Sequence, residues 1–278
     1  MPSAPRSLAA LTIGGAALAA LFALLLVADP REITGAPAWL KPLKFSLSGA
    51  LYGAGLWWIT TRMPRERGTD RAGFAVAVLL GAEIAAIAVQ AARGTTSHFN
   101  ITTGVDAAVF RGMGLAIVSV WIATAWILWR HLRQPAADPG LAMAMRLGMT
   151  LTLVGSALGG AMLRPTPEQL ATMQRGQRPP AVGAHTVGAP DGEGAMLPLI
   201  RWSAEHGDLR VAHFVGMHGL QLVPLALLGL RRARRSANDA TERVAIWAVA
   251  ALCAIATVGT LAQALAGHPL IALAARLP

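Results

Sequence analysis

The sequence predicts an all-α, polytopic membrane bundle of seven transmembrane helices. Of the 278 residues, 54% are hydrophobic and only 14% are charged, against about 25% charged in an ordinary soluble chain. Mean hydropathy is +0.51. The apolar residues are gathered into runs at 8–28, 43–59, 72–92, 107–129, 146–163, 211–230 and 244–266. A bilayer crossing asks for ~20 residues at ~1.5 Å each. In hydrocarbon a run must satisfy its own backbone amides, so each reads as a helix. Together they read as a single membrane domain over 1–278.

Taken in order, the first run follows Arg6 and is long for the ~7–15-residue apolar core of a signal peptide, so it reads as a retained span. The second opens on Lys41 and Lys44, the chain's only lysines, with Ser48 and Tyr52 spaced along one face. The third carries Glu83 and, two turns later, Gln90. The chain then passes through Ser97-His98-Phe99-Asn100 and returns through Asp106 into the fourth run, which holds Arg111 and ends near Trp126 and Trp129. The fifth holds Thr152 and Ser156 beside Gly155, Gly159 and Gly160, glycines suited to tight helix contact. A loop over 164–209 follows, longer than any other connection, and long loops are commonly functional. Within it Thr166-Pro167-Glu168-Gln169 reads as a capped helix start running to about Arg175, and Ala189-Pro190-Asp191-Gly192 as a turn. Asp208 is placed to cap the sixth run, which carries Arg210, His213, His218 and Gln221. The seventh presents Cys253, Thr257 and Thr260 on one face.

The charges set an orientation. Counting alternate connections on one side gathers Arg6, the arginines of 62–71, those of 130–146 and those of 231–243, for a net charge of +8. That leaves +2 of the chain's +10 on the other side. Short arginine-rich loops stay in the cytoplasm, so the expectation is a multi-pass protein of the cytoplasmic (inner) membrane, N-in and C-out, with 164–209 as an ordered outer cap. The basic balance is then topological, and nucleic acid is not an expected partner; the lipid bilayer is.

Six of the seven histidines fall on the outer side by this assignment. Glu83 lies about 14 Å and Arg111 about 8 Å inside neighbouring spans, which predicts a Glu83–Arg111 ion pair, since either charge alone is costly in hydrocarbon. His213 and His218 lie roughly 140° apart around a straight helix. Gly216 and Gly219 leave room beside His218 for a close helix or a flat ligand. The adjacency of Ser97 and His98 is no sign of a dyad, because neighbours need not point the same way. The stripes together imply an outward-facing polar cavity under the cap.

Candidate catalytic groups are Glu83, Asp106, Arg111 and His213. Candidate cofactor contacts are Lys44, His98, Arg210, His213, His218 and Gln221, and candidate metal ligands are His98, His185, His213 and His218. This donor set points first to a redox protein holding haem b or a divalent metal such as zinc. A haem wants two axial imidazoles, which His98 or His185 from a loop and His213 from a helix can offer, whereas His218 has no mid-membrane histidine to oppose it. Two alternatives stay open: transport of a small solute or ion, and metal-dependent hydrolysis of a lipid-like substrate. A small molecule or quinone is an equally open substrate class, and the sequence leaves open whether the protein is an enzyme. The seven-span, N-in layout and the histidine and carboxylate content are similar to membrane hydrolases that include the alkaline ceramidases and the progestin–adiponectin receptors. The histidine pair spaced four apart in that group has no match here, because His213 and His218 are five apart. Phosphate loops, Cys-x-x-Cys and Gly-x-Ser-x-Gly are not found in a usable context, and the seventh span has no lysine for a retinal Schiff base.

Overall fold

The computed structural model describes residues 2–234 and 239–272, and it is all-α. The helices are α1 (Ala4–Ala28), α2 (Leu40–Thr60), α3 (Arg67–Ala92), α4 (Gly104–Leu132), α5 (Pro139–Leu158), α6 (Pro167–Gln174), α7 (Leu209–Met217), α8 (Gly219–Ala233) and α9 (Asp239–Leu265). A 3-10 turn at Gly159–Leu163 extends α5. The strands are two-residue pieces: β1 (Glu32–Ile33) pairs with β2 (Ala36–Pro37), and β3 (Thr186–Val187) with β4 (Gly207–Asp208), both antiparallel.

Among the described residues five helices are long and apolar enough to cross a membrane: α1, α3, α4, α5 with its extension, and α9. The pair α7–α8, bent by 45°, makes a sixth if counted as one broken span. The predicted seven therefore narrows to five or six. The difference is α2, whose 21 residues include both lysines and a series of small residues that dilute its hydropathy. The predicted basic run 231–235 ends at Arg235, which lies outside the described residues.

The helix starts follow local chemistry. Thr103 accepts from the Asp106 amide at the head of α4, and Asp138 caps α5 with Pro139 at its first position. Thr166 caps α6 and Asp208 caps α7, both as predicted, and Gln169 completes a capping box with Thr166.

The chain divides into two compact units. The first comprises residues 1–135 with 176–181. Its helices α1 and α2 approach closely because Gly15 leaves space that a Cβ would fill 3.0 Å from the Ser46 carbonyl. The Tyr52 hydroxyl meets Thr124 Oγ1 at 2.7 Å and ties α2 to α4. Segment 176–181 belongs here through the Ile101 amide, which donates to the Pro180 carbonyl at 2.9 Å, and an Asn100–Ala181 bridge.

The second unit comprises residues 136–175 and 182–278. Here α5 packs on α7 and α8 through facing glycines. A Cβ on Gly155 would stand 2.4 Å from the Gly216 carbonyl carbon, and one on Gly148 would stand 2.6 Å from the Gly219 oxygen. Glycine at all four positions is what lets these backbones touch. At the far end the Arg231 guanidinium bridges Asp138 at 2.9 Å and Glu242 at 2.7 Å, joining the starts of α5 and α9 to the end of α8.

Candidate functional site

Each unit concentrates polar groups at one place. In the first unit it is where α3 ends, α2 begins and the loop 93–103 turns between α3 and α4. Glu83 on α3 is 3% exposed, and neither carboxylate oxygen has a hydrogen-bond partner. His98 Nε2 stands 3.7 Å from Glu83 Oε1. The other ring nitrogen, Nδ1, is 3.0 Å from Ser97 Oγ. The adjacent serine and histidine do face one another, because the loop curls there instead of running extended. Phe99 follows with φ of 63°, a left-handed conformation that is costly for a bulky side chain and that turns its ring into the interior. The His98 ring lies between Phe45 at 5.4 Å and Phe99 at 6.3 Å. Lys41 on α2 lies 6.0 Å from the Phe45 ring.

The expected Glu83–Arg111 pair does not form. Arg111 is exposed on α4, whose Asp106, Ala107 and Met113 turn inward instead. Depth was compatible with a pair; rotation about the helix axis was not. Asp106 serves the turn itself, accepting from Gln90 at 2.9 Å, from Arg93 at 2.9 Å and from the Thr103 hydroxyl at 2.6 Å. Lys44 is half-buried on α2.

In the second unit the straight sixth span predicted from sequence is broken at His218. The break is bridged from α5: Thr152 Oγ1 donates to the Met217 carbonyl at 2.8 Å and accepts from the Leu220 amide at 3.0 Å. The room beside His218 that Gly216 and Gly219 provide is filled by α5, so it is helix contact and not a ligand slot. His218 Nδ1 hydrogen-bonds the Phe214 carbonyl at 2.8 Å and its ring packs on Phe214 at 4.1 Å. Gln221 is half-buried in the first turn of α8. Arg210 is held by Asp208 at 2.6 and 2.9 Å, with the Arg201 carbonyl as a further acceptor. His213 Nδ1 donates to the Gly155 carbonyl at 2.8 Å, and its ring approaches to 3.3 Å of where a Gly159 Cβ would be.

Above α7, His185 Nδ1 and Asp191 Oδ2 are 2.6 Å apart. Burial acts to raise the Asp191 carboxyl, but the His185 hydrogen bond, the His185 charge and the amides of Thr186 and His185 hold it well below the usual carboxylate range. Sequence reading saw Asp191 only as a turn residue. Its signal was the Pro-Asp-Gly context, in which aspartate commonly accepts nearby backbone amides.

Among the described residues no group of three or more His, Cys, Asp or Glu side chains could hold a metal ion. His98 belongs to the first unit, and His185, His213 and His218 belong to the second. All four imidazoles have an Nδ1 partner on their own unit: Ser97 for His98, Asp191 for His185, the Gly155 carbonyl for His213 and the Phe214 carbonyl for His218.

The long apolar helices define an all-α protein consistent with a multi-pass membrane bundle. Compared with family models, curated proteins and solved structures, the chain matches none.

Proposed function

We propose that this is a seven-span, N-in membrane protein that moves a small solute or ion in exchange with, or together with, a proton carried by the Glu83–His98 pair. The observation that carries this reading is the Glu83 carboxyl, buried without a hydrogen bond and 3.7 Å from His98 Nε2. An ionised carboxylate is costly in a hydrocarbon interior unless paired, and ionisable groups at such depth line pathways far more often than they face lipid. A carboxyl and an imidazole at this separation have two arrangements of similar charge balance. One is a neutral pair, with the proton on Glu83; the other is an ion pair, with the proton on His98. Lys41 stands beside the Phe45 ring that His98 packs against and brings a positive charge close to the pair. Exchange between the two arrangements moves the proton within the pair at constant net charge. A proton that leaves the pair altogether leaves a carboxylate, whose charge the nearby Lys41 ammonium then offsets, while Ser97 holds the imidazole in place.

A metal-dependent hydrolase would need three protein ligands and an open water position, and the described residues supply no such set. The net +8 on alternate connections supports N-in, with α2 as the seventh crossing.

The test is infrared titration of the purified protein together with proton flux in liposomes under an imposed pH gradient. A carbonyl band from a protonated buried carboxyl should be present in the wild type and absent in Glu83→Gln. Proton flux should fall at least tenfold in Glu83→Gln. An unchanged band and unchanged flux in Glu83→Gln would sink the proposal.

A further inference from the structure

The first unit leaves a long groove open on its surface. It runs between α1 and α3, both long and apolar enough to cross a membrane, and has a volume of about 430 Å³. Its walls are apolar along most of their length, with Leu18 and Val78 among the lining side chains. Two glycines widen it from opposite sides, Gly14 on α1 and Gly81 on α3. Their role differs from that of Gly15 and Gly73. An added Cβ there would stand 3.0 Å from the Ser46 carbonyl oxygen and 2.5 Å from the Ala4 Cβ, so those two let helices touch. A Cβ on Gly14 or Gly81 would meet nothing within 4 Å. Glycine is a poor helix former, and among the described residues no helix contact requires it at these two positions.

The groove has a polar end. Arg6 and Ser7 line it near the start of α1. Arg6 is exposed and makes no ion pair or hydrogen bond among the described residues. The carboxylate nearest the start of this helix, Asp70, is already taken by the Ala4 amide at 2.7 Å and by Arg65 at 3.3 Å. Ser7 is 6% exposed, and its hydroxyl has no hydrogen-bond partner. From Arg6 to Leu18 the helix advances about 18 Å. One leaflet supplies about half of a hydrocarbon core ~30 Å thick. The groove therefore matches a single leaflet in depth, with a cation at the headgroup end.

We propose that the groove holds an anionic phospholipid, its phosphate on Arg6, a glycerol-ester oxygen at Ser7 and one acyl chain lying past Gly14 and Gly81. Charge selects the head: an arginine without a protein counter-ion is a ready partner for a phosphate. Glycine selects the tail, because at 14 and 81 the wall carries no side chain and a run of methylenes can lie against the backbone. The site uses neither Glu83 nor His98, so it and the proposed proton site can fail independently.

The test uses the full-length protein, delipidated in detergent and then offered phosphatidylglycerol or phosphatidylcholine of the same chain length. Bound lipid is counted by native mass spectrometry. The wild type should hold one phosphatidylglycerol per chain and prefer it about fivefold, the effect of one arginine at an anionic surface. Arg6→Gln should remove the preference, and Ser7→Ala should weaken both lipids alike. Gly14→Leu and Gly81→Leu should each weaken phosphatidylglycerol binding about tenfold or more, the scale of forcing extra methylenes into occupied space. Leucine meets no protein atom at either position and favours helix, so both variants should melt no lower than wild type. Gly114→Leu on α4, also in open space but outside the groove, should bind as wild type does. Glu83→Gln should also bind fully. Equal binding of the two lipids by the wild type would overturn the proposal. So would phosphatidylglycerol binding unchanged in both groove variants, or weakened as much by Gly114→Leu.

Discussion

Replacing Thr152 with valine should destabilise the second unit while leaving its packing volume nearly unchanged. The hydroxyl is fully buried and serves both sides of the break in the sixth span, donating to the Met217 carbonyl and accepting the Leu220 amide. Valine leaves one buried acceptor and one buried donor without this partner. Each such group costs about 1–3 kcal/mol. Polar contacts between membrane helices measured by double-mutant cycles average nearer ~0.6 kcal/mol, because an altered helix pair often finds other partners. Glycines at 216 and 219 already hold the backbones in contact, so there is little room here to rearrange. We expect a loss of about 2–3 kcal/mol for Thr152→Val, nearer the upper of these two scales. At ~2–4 °C per kcal/mol for a chain of this size, that is a fall of about 5–10 °C in detergent melting temperature. Thr152→Ser keeps the hydroxyl and loses a methyl group, so it should fall by less than half as much. A valine variant melting within about 1 °C of wild type, or a serine variant as damaged as valine, would refute the bridging role.

The Arg231 bridge predicts a pH dependence. The Arg231 hydrogen bond pulls the Asp138 carboxyl down to about 2, below its ordinary value of 3.8, against opposing burial. A depressed carboxyl stabilises the fold above its unfolded value, and that stabilisation is lost as pH falls through the folded one. The melting-temperature gap between wild type and Arg231→Gln should therefore hold from neutrality to about pH 4 and close toward about pH 2. Orientation is checked by accessibility of inserted tags: those within 62–71 and beside 231 should be cytoplasmic and one within 169–178 external. The reverse pattern would overturn N-in.

The locally encoded parts of this fold were legible. The Thr-Pro-Glu-Gln start of α6 and the Asp208 cap of α7 are set by side chains acting within three residues, and both appear as read. The break at His218 was not, because its stabilising group lies 65 residues earlier in the chain, at Thr152. Periodicity through 211–230 gives no sign of a hydroxyl arriving from another helix. Glu83 was legible as a buried charge needing a partner, yet the partner chosen was Arg111. Sequence position gives depth along a helix directly, whereas facing depends on how α3 and α4 roll against each other. His98 reaches Glu83 through a loop turned by a positive φ at Phe99, a residue whose type gives no hint of that conformation.

The fifth helix explains why His213 points as it does. The Gly155 carbonyl carries two lone pairs, so it can accept the imidazole in addition to any helix bond. Access to it is open because position 159, one turn on, has no side chain and the ring lies 3.3 Å from where a Cβ would be. Gly155 itself is required for a different reason, its contact with Gly216. The two glycines, equivalent in a sequence reading, thus do separate things. Gly155 brings α7 close, and Gly159 lets the His213 ring lie along α5. Alanine at 159 would press on the ring edge without touching the helix contact. It should weaken the His213–Gly155 hydrogen bond more than it weakens the α5–α7 contact. The His213 imidazole signals should therefore shift in NMR while the melting temperature changes little.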